Sequence, residues 1–185
     1  MHTDVIVVGA GISGISAGYN LKKSCPNKSF LILEGRENLG GTWDLFKYPG
    51  VRSDSDMHTL GFRFKPWMHD KSIADGPSIL NYLNETVDEH SLRENILLNH
   101  NVNSANWNSQ DSIWELEIKD KDGLKNITSS FLFLCGGYYS YSKPHIPNFK
   151  NQENFKGQII HPQFWNNQID CANKKIVVIG SGATA

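Results

Sequence analysis

The feature that most constrains this chain is a short β-branched run, Val5-Ile6-Val7-Val8, leading straight into the glycine turn Gly9-Ala10-Gly11-Ile12-Ser13-Gly14. The run favours a strand, and the spacing of Ile12, Ile15, Tyr19 and Leu21 predicts a helix after the turn. A second strand is expected at Phe30–Leu33, ending in Glu34. Strand, turn, helix and strand open a parallel α/β unit. In such a unit Gly9 permits the tight turn, Gly11 lets the backbone approach a pyrophosphate, and Gly14 lets the helix pack on the strand. The helix start offers unpaired N–H groups and the positive end of its dipole to phosphates. A glycine turn of purely structural purpose is the competing reading. Glu34 tips the balance, because a carboxylate ending the second strand can accept both hydroxyls of a ribose. A bound dinucleotide is therefore expected.

Composition limits the alternatives. With 185 residues, 39% hydrophobic and 20% charged, the chain is expected to form one globular domain, or one and a part. Eighteen Lys and Arg against nineteen Asp and Glu give a net charge of −1, which offers nothing to attract nucleic acid or an anionic membrane. The longest apolar runs, Val5–Val8, Phe131–Cys135 and Ile176–Ile179, are strand-length and far short of the roughly 20 residues of a membrane helix. The first meets glycine after four residues, so no signal peptide is expected. Cys25, Cys135 and Cys171 have neither paired nor metal-ligand spacing. We read them as free thiols in a reducing, cytoplasmic setting, with peripheral membrane association left open and no metal site expected. Three glycosylation sequons, at Asn27, Asn84 and Asn126, are read as chance matches in an asparagine-rich chain.

Further along, Gly35–Trp67 is rich in Gly, Pro, Asp and aromatics and reads as a long functional loop with one short helix near Ser55–Leu60. A helix is predicted from Pro77 to His90 and a strand around Ile96–Val102. Two alternating runs, Ile113–Ile118 and Leu124–Thr128, flank Asp122-Gly123 as a hairpin. Phe131–Leu134 reads as a fully buried strand, and Tyr138–Lys175 as a polar connection. Ile176–Ile179 reads as a strand entering a second glycine turn. The five tryptophans, Trp43, Trp67, Trp107, Trp114 and Trp165, are read mostly as core or interface aromatics.

The segment from Gly40 to Asp54, G-G-T-W-D-L-F-K-Y-P-G-V-R-S-D, resembles the G-G-x-W-x-x-x-x-Y-P-G-x-x-x-D motif of Baeyer–Villiger flavin monooxygenases. Its continuation to Phe62 resembles the branch that holds the mycobacterial monooxygenase activating thioamide prodrugs. The resemblance recurs at Phe155–Trp165, which fits the F-x-G-x-x-x-H-x-x-x-W fingerprint; that pattern usually continues with Pro or Asp, and here Asn166 follows.

What the resemblance implies is an FAD- and NADPH-dependent monooxygenase. NADPH reduces the flavin, O2 is captured as a C4a-peroxyflavin, and a ketone is converted to an ester or a sulfur centre is oxygenated. Gly9, Gly11, Ser13 and Gly14 would hold the FAD pyrophosphate and Glu34 its ribose. Gly41, Thr42, Trp43, Asp44 and Leu45 would line the flavin side, and the backbone of Val102 would meet the adenine end. Arg52, Ser53 and Asp54 would lie where flavin and nicotinamide meet. Asp54 is the catalytic candidate, matching an aspartate that holds an arginine supplied from later in the family's chain; no residue here matches that arginine. From the residues alone, Ser53 to Asp56 read instead as the cap of a short helix. By resemblance His161 couples the motion of two nucleotide domains and does no chemistry.

The second turn, Gly180-Ser181-Gly182-Ala183-Thr184-Ala185, matches G-x-G-x-x-A and by resemblance is the NADPH pyrophosphate loop. The fold class expected is α/β: an incomplete Rossmann-like FAD domain with a small β-meander over residues 1–140, a connection over 141–173 carrying the fingerprint, and the start of a second Rossmann-like domain over 174–185. Two alternatives stand beside this one, a nitrogen- or sulfur-oxygenating flavin monooxygenase and a nucleotide-binding fragment without catalysis.

Overall fold

A computed structural model describes residues 1–166 and 168–182. The chain divides into two compact units, Met1–Asp44 with Leu80–Gly137, and Leu45–Ile79 with Tyr138–Ala185.

The first unit is built on a six-stranded sheet. Its strands are β1 (His2–Val8), β2 (Phe30–Leu33), β3 (Ile96–Leu97), β4 (Asn101–Asn108), β5 (Ile113–Asp120) and β6 (Gly123–Leu134), in the order β3-β2-β1-β6-β5-β4. The first four in that order run parallel, while β4, β5 and β6 form an antiparallel meander. Helix α1 (Ile12–Ser24) joins β1 to β2 and packs on both. Strand β1 is buried almost throughout, as a parallel strand covered on both faces must be. Ile6 and Leu33 pack with Leu116, Ile118 and Ile127 into one core cluster.

Several sequence expectations change here. The strand expected around Ile96–Val102 is two strands, because Asn99 takes a positive φ of 57° and redirects the chain between them. Leu124–Thr128 and Phe131–Leu134 are one strand, β6, whose first half pairs with β5 and second half with β1. Its end is not fully buried: Phe131 is 54% and Leu134 78% exposed, since α1 covers β1 and β2 rather than β6. Cys25, Cys135 and Cys171 are free.

The second unit holds most of the loop predicted at Gly35–Trp67. Helix α3 (Met57–Leu60) is the short helix expected there; a further turn, α2 (Thr42–Leu45), not among the expected elements, has Thr42–Asp44 in the first unit. Helix α4 (Gly76–Glu89), whose residues from Leu80 on belong to the first unit, starts and ends one residue before the predicted Pro77–His90, with Asp75 Oδ1 accepting the Ser78 N–H at 2.8 Å as its cap. Phe46, Met57, Phe62, Trp67 and Ala74 are buried; of the tryptophans, Trp67 is core whereas Trp107, in the first unit, is exposed. Residues 176–179 form no strand, and Val177 is 82% exposed. A β-branched run becomes a strand only by pairing with a neighbour, and none pairs with it among the described residues. Among those residues no helix is long and apolar enough to cross a membrane.

Candidate functional site: two facing glycine turns

The first glycine turn is set by steric demand. Gly9 has φ of +100°, and a Cβ there would sit 2.5 Å from the Cys135 carbonyl oxygen; its N–H donates to Leu33 O at 2.7 Å. A Cβ on Gly14 would lie 1.8 Å from Gly9 O, so no residue with a side chain fits where α1 leaves the turn. Gly11 is the N-cap of α1 and no side chain caps it. The first bond of the helix runs from Ile15 N–H to Gly11 O at 3.0 Å, which leaves the N–H groups of Ile12, Ser13 and Gly14 without a helical acceptor. Such an end attracts an anion through both its donors and its dipole.

Glu34 ends β2 and is 3% exposed. Its Oε2 accepts the Ala10 N–H at 2.8 Å and its Oε1 the Arg36 N–H at 3.0 Å. Each oxygen retains a second lone pair for a hydroxyl donor. Residues 99 and 100 run alongside this corner, with Asn99 N–H on Arg36 O at 2.9 Å and His100 N–H on Glu34 O at 2.8 Å, and so lead into half-buried Val102 on β4.

The Gly40-Gly41 turn faces the first. Gly40 N–H donates to Ala10 O at 3.0 Å, and the nearest atom to a Cβ on Gly11 would be Gly41 Cα at 3.6 Å. From this turn α2 begins, with Trp43 N–H on Gly40 O and Asp44 N–H on Gly41 O. Thr42 and Trp43 are half-buried; the Asp44 carboxylate is buried and paired with Arg36 at 2.7 Å. Arg36 was missed from the sequence, where nothing marks it beyond its place two residues after Glu34. Gly9, Gly11, Ser13, Gly14, Glu34, Gly41, Thr42, Trp43 and Asp44 thus belong to one corner of one unit.

Leu45, Arg52, Ser53 and Asp54 belong to the second unit. Ser53 is buried; its N–H donates to Ala74 O at 2.9 Å, and its Oγ accepts the Ala74 N–H at 3.1 Å. Arg52 bridges Asp75 through the backbone. The cap of α3 is Asp56, whose carboxylate accepts the Thr59 N–H at 2.9 Å; exposed Asp54 takes no part in it. The Tyr139 phenol is pushed up to about 12, first by burial and the Tyr138 hydrogen bond, then by Tyr48 and Asp54 nearby. In the fingerprint, His161 Nδ1 accepts the Gln163 N–H at 3.2 Å and caps the 3-10 turn Pro162–Phe164. In the second glycine motif Gly180 has φ of +145°, and Ser181 and Gly182 are exposed; Ala183, Thr184 and Ala185 lie outside the described residues.

Residues 7–70 match the family described as NAD(P)-binding Rossmann-like domain. The whole chain is 57% identical, over 184 residues, to FAD-containing monooxygenase EthA of Mycolicibacterium smegmatis. Over its whole length this chain is similar to proteins named as FAD-containing or FAD-binding monooxygenases. It spans 37% of the length of that EthA. Among solved structures, this chain is similar to cyclohexanone monooxygenase in its open form, with a TM-score of 0.83 at 27% identity over 98% of this chain and 35% of that one. It is likewise similar to OTEMO in complex with FAD and NADP, with a TM-score of 0.79 at 28% identity over 98% of this chain and 35% of that one. The α/β fold with a Rossmann-like start agrees with both likenesses.

Proposed function

We propose that residues 1–140 supply the FAD-binding part of an NADPH-dependent monooxygenase, that 141–173 connect it onward, and that 174–185 open the NADPH-binding part. The observation that carries this reading is the pair of glycine turns around an uncapped helix start, with buried Glu34 alongside. The residues fit a dinucleotide. The N–H groups of Ile12, Ser13 and Gly14 would take the pyrophosphate, and Glu34 would accept the ribose hydroxyls. Gly11 and Gly41 would let the backbone come close, Thr42, Trp43, Asp44 and Leu45 would line the flavin side, and Val102 would meet the adenine end through its backbone. Arg52, Ser53 and Asp54 would lie toward the nicotinamide, as would the Gly180-Ser181-Gly182 turn. Asp54, exposed and outside the α3 cap, remains the catalytic candidate.

FAD, when bound, supplies the oxygen-activating redox chemistry, and NADPH the electrons. The substrate class is a ketone, oxygenated in the Baeyer–Villiger sense, or a sulfur compound. The likeness to cyclohexanone monooxygenase supports the former. The test is the purified full-length protein with FAD, NADPH and O2 against a panel of ketones and thioethers. Ester formation with NADPH oxidation is expected; sulfoxide without ester would make it a sulfur oxygenase, and a protein that neither takes up FAD nor oxidises NADPH would end the reading.

A further inference from the structure

Arg36 joins the two glycine turns. Its N–H donates to Glu34 Oε1 at 3.0 Å, while Nη1 donates to Gly41 O and Nη2 to Asp44 O, each at 3.3 Å. Nη2 also lies 2.7 Å from Asp44 Oδ2, with the two side chains 26% and 7% exposed. Ala10 completes the circuit, since its N–H is bound to Glu34 and its carbonyl to Gly40. A closed ring therefore runs from Ala10 through Glu34, Arg36 and the Gly41–Asp44 turn to Gly40 and back.

The ring has a physical purpose. Two adjacent glycines have no side chains to anchor them and lose more conformational freedom on ordering than any other residue. Gly40 and Gly41 take φ of +115° and +56°, so the turn must be held from outside. A planar guanidinium can satisfy two carbonyls and a carboxylate together, which an ammonium cannot do with the same geometry. Burial lessens the solvent screening that weakens exposed ion pairs.

We propose that Arg36 and Asp44 are a positioning pair for the FAD site, holding the Gly40-Gly41 turn against Gly9–Gly11 before the cofactor arrives. Their contribution is preorganisation, so that less of the binding free energy is lost in ordering the turn. They act through Glu34 and the glycine backbone. The inference rests on the FAD-binding reading above.

The test is FAD dissociation from the full-length holoenzyme, followed as the rise in flavin fluorescence on dilution, together with thermal denaturation of the apoprotein. Arg36→Gln and Asp44→Asn are each expected to raise the FAD dissociation constant at least about tenfold, because each breaks a buried charged pair. The double variant is expected to lose no more than the worse single, since the two residues act as one unit. Arg36→Lys keeps the charge without the fork; it is expected to weaken FAD binding by a smaller factor at an unchanged apoprotein melting temperature. Unchanged FAD affinity in Arg36→Lys and Asp44→Asn, or single effects that multiply in the double variant, would overturn the positioning role and leave the FAD reading standing. Loss of melting temperature without loss of FAD affinity would overturn it equally. A wild-type protein that takes up no FAD overturns the reading beneath it.

Discussion

Glu34 Oε2 accepts the Ala10 N–H at 2.8 Å, which ties the carboxylate ending β2 to the middle of the first glycine turn. With Oε1 on the Arg36 N–H at 3.0 Å, the carboxylate is oriented by two backbone donors. Glu34→Gln sets an amide NH2 against one of those donors. The expected outcome is a loss of about 1–3 kcal/mol in chemical denaturation, the range for a buried donor left unpaired, together with weaker FAD binding by fluorescence titration.

The glycines of the first turn are expected to respond differently from one another. Gly14→Ala places a methyl carbon 1.8 Å from Gly9 O, which nothing nearby can relieve without moving backbone. Destabilisation of about 3 kcal/mol or more is expected from such overpacking. Gly11→Ala meets only Gly41 Cα, at an ordinary 3.6 Å. The apoprotein should then lose under about 1 kcal/mol, the cost of a weaker N-cap, while FAD affinity falls because the methyl occupies the face offered to the cofactor. Calorimetry and FAD titration of both variants separate the two effects.

Asp4 carries an acid-sensitive strap between the starts of β1 and β2. Its carboxylate accepts the Ser29 Oγ–H at 2.7 Å and the Ser29 N–H at 2.9 Å, and pairs with Lys28 at 2.9 Å. The Ser29 hydroxyl first, then Lys28 and the Ser29 amide, hold this carboxyl well below the usual carboxylate range. A carboxyl depressed by folding contributes stability that is fully present above the unfolded value of about 4 and is lost as pH falls below it. The melting temperature of the wild type should therefore fall more steeply below about pH 4 than that of Asp4→Asn, and the gap between the two should stay constant well above that pH.

Gln163 anchors the fingerprint within the second unit. It is buried, and its Nε2 donates to Ser140 O at 2.8 Å and to Tyr141 O at 2.9 Å. Gln163→Leu leaves two carbonyls without that donor, at a cost of about 1–3 kcal/mol locally. Trypsin should cut faster at Lys143 in the variant, with far-UV circular dichroism unchanged.

The parts legible in the sequence are those governed by neighbours along the chain. Gly9 needs a positive φ, α1 needs a start with free donors, and a glycine ends the hairpin between β5 and β6, though the turn is Lys121-Asp122, one residue before the expected Asp122-Gly123, with Gly123, at φ of +118°, opening β6. Other parts misled. Ser129-Ser130 looked like a break between two strands, yet Ser129 is fully buried, pairs with Thr3 on one side and Trp114 on the other, and donates its hydroxyl to Phe131 O at 3.0 Å. The runs on either side read as separate strands, and pairing on both flanks makes them one. At α3, four consecutive Ser and Asp residues could each have been the cap; only the register of the helix selects Asp56.

By itself, then, the sequence determined the strand–turn–helix start, the glycine positions and the carboxylate at the end of β2, because sterics, φ preference and helix ends act within a few residues. The tertiary structure alone decided that Arg36 reaches across to Asp44, that Ala10 donates to Glu34 and accepts from Gly40, and that β6 is one strand with a partly exposed end. Those outcomes depend on which segments meet in space, and a hydrogen bond or ion pair carries no mark in the sequence until the chain brings its two ends together.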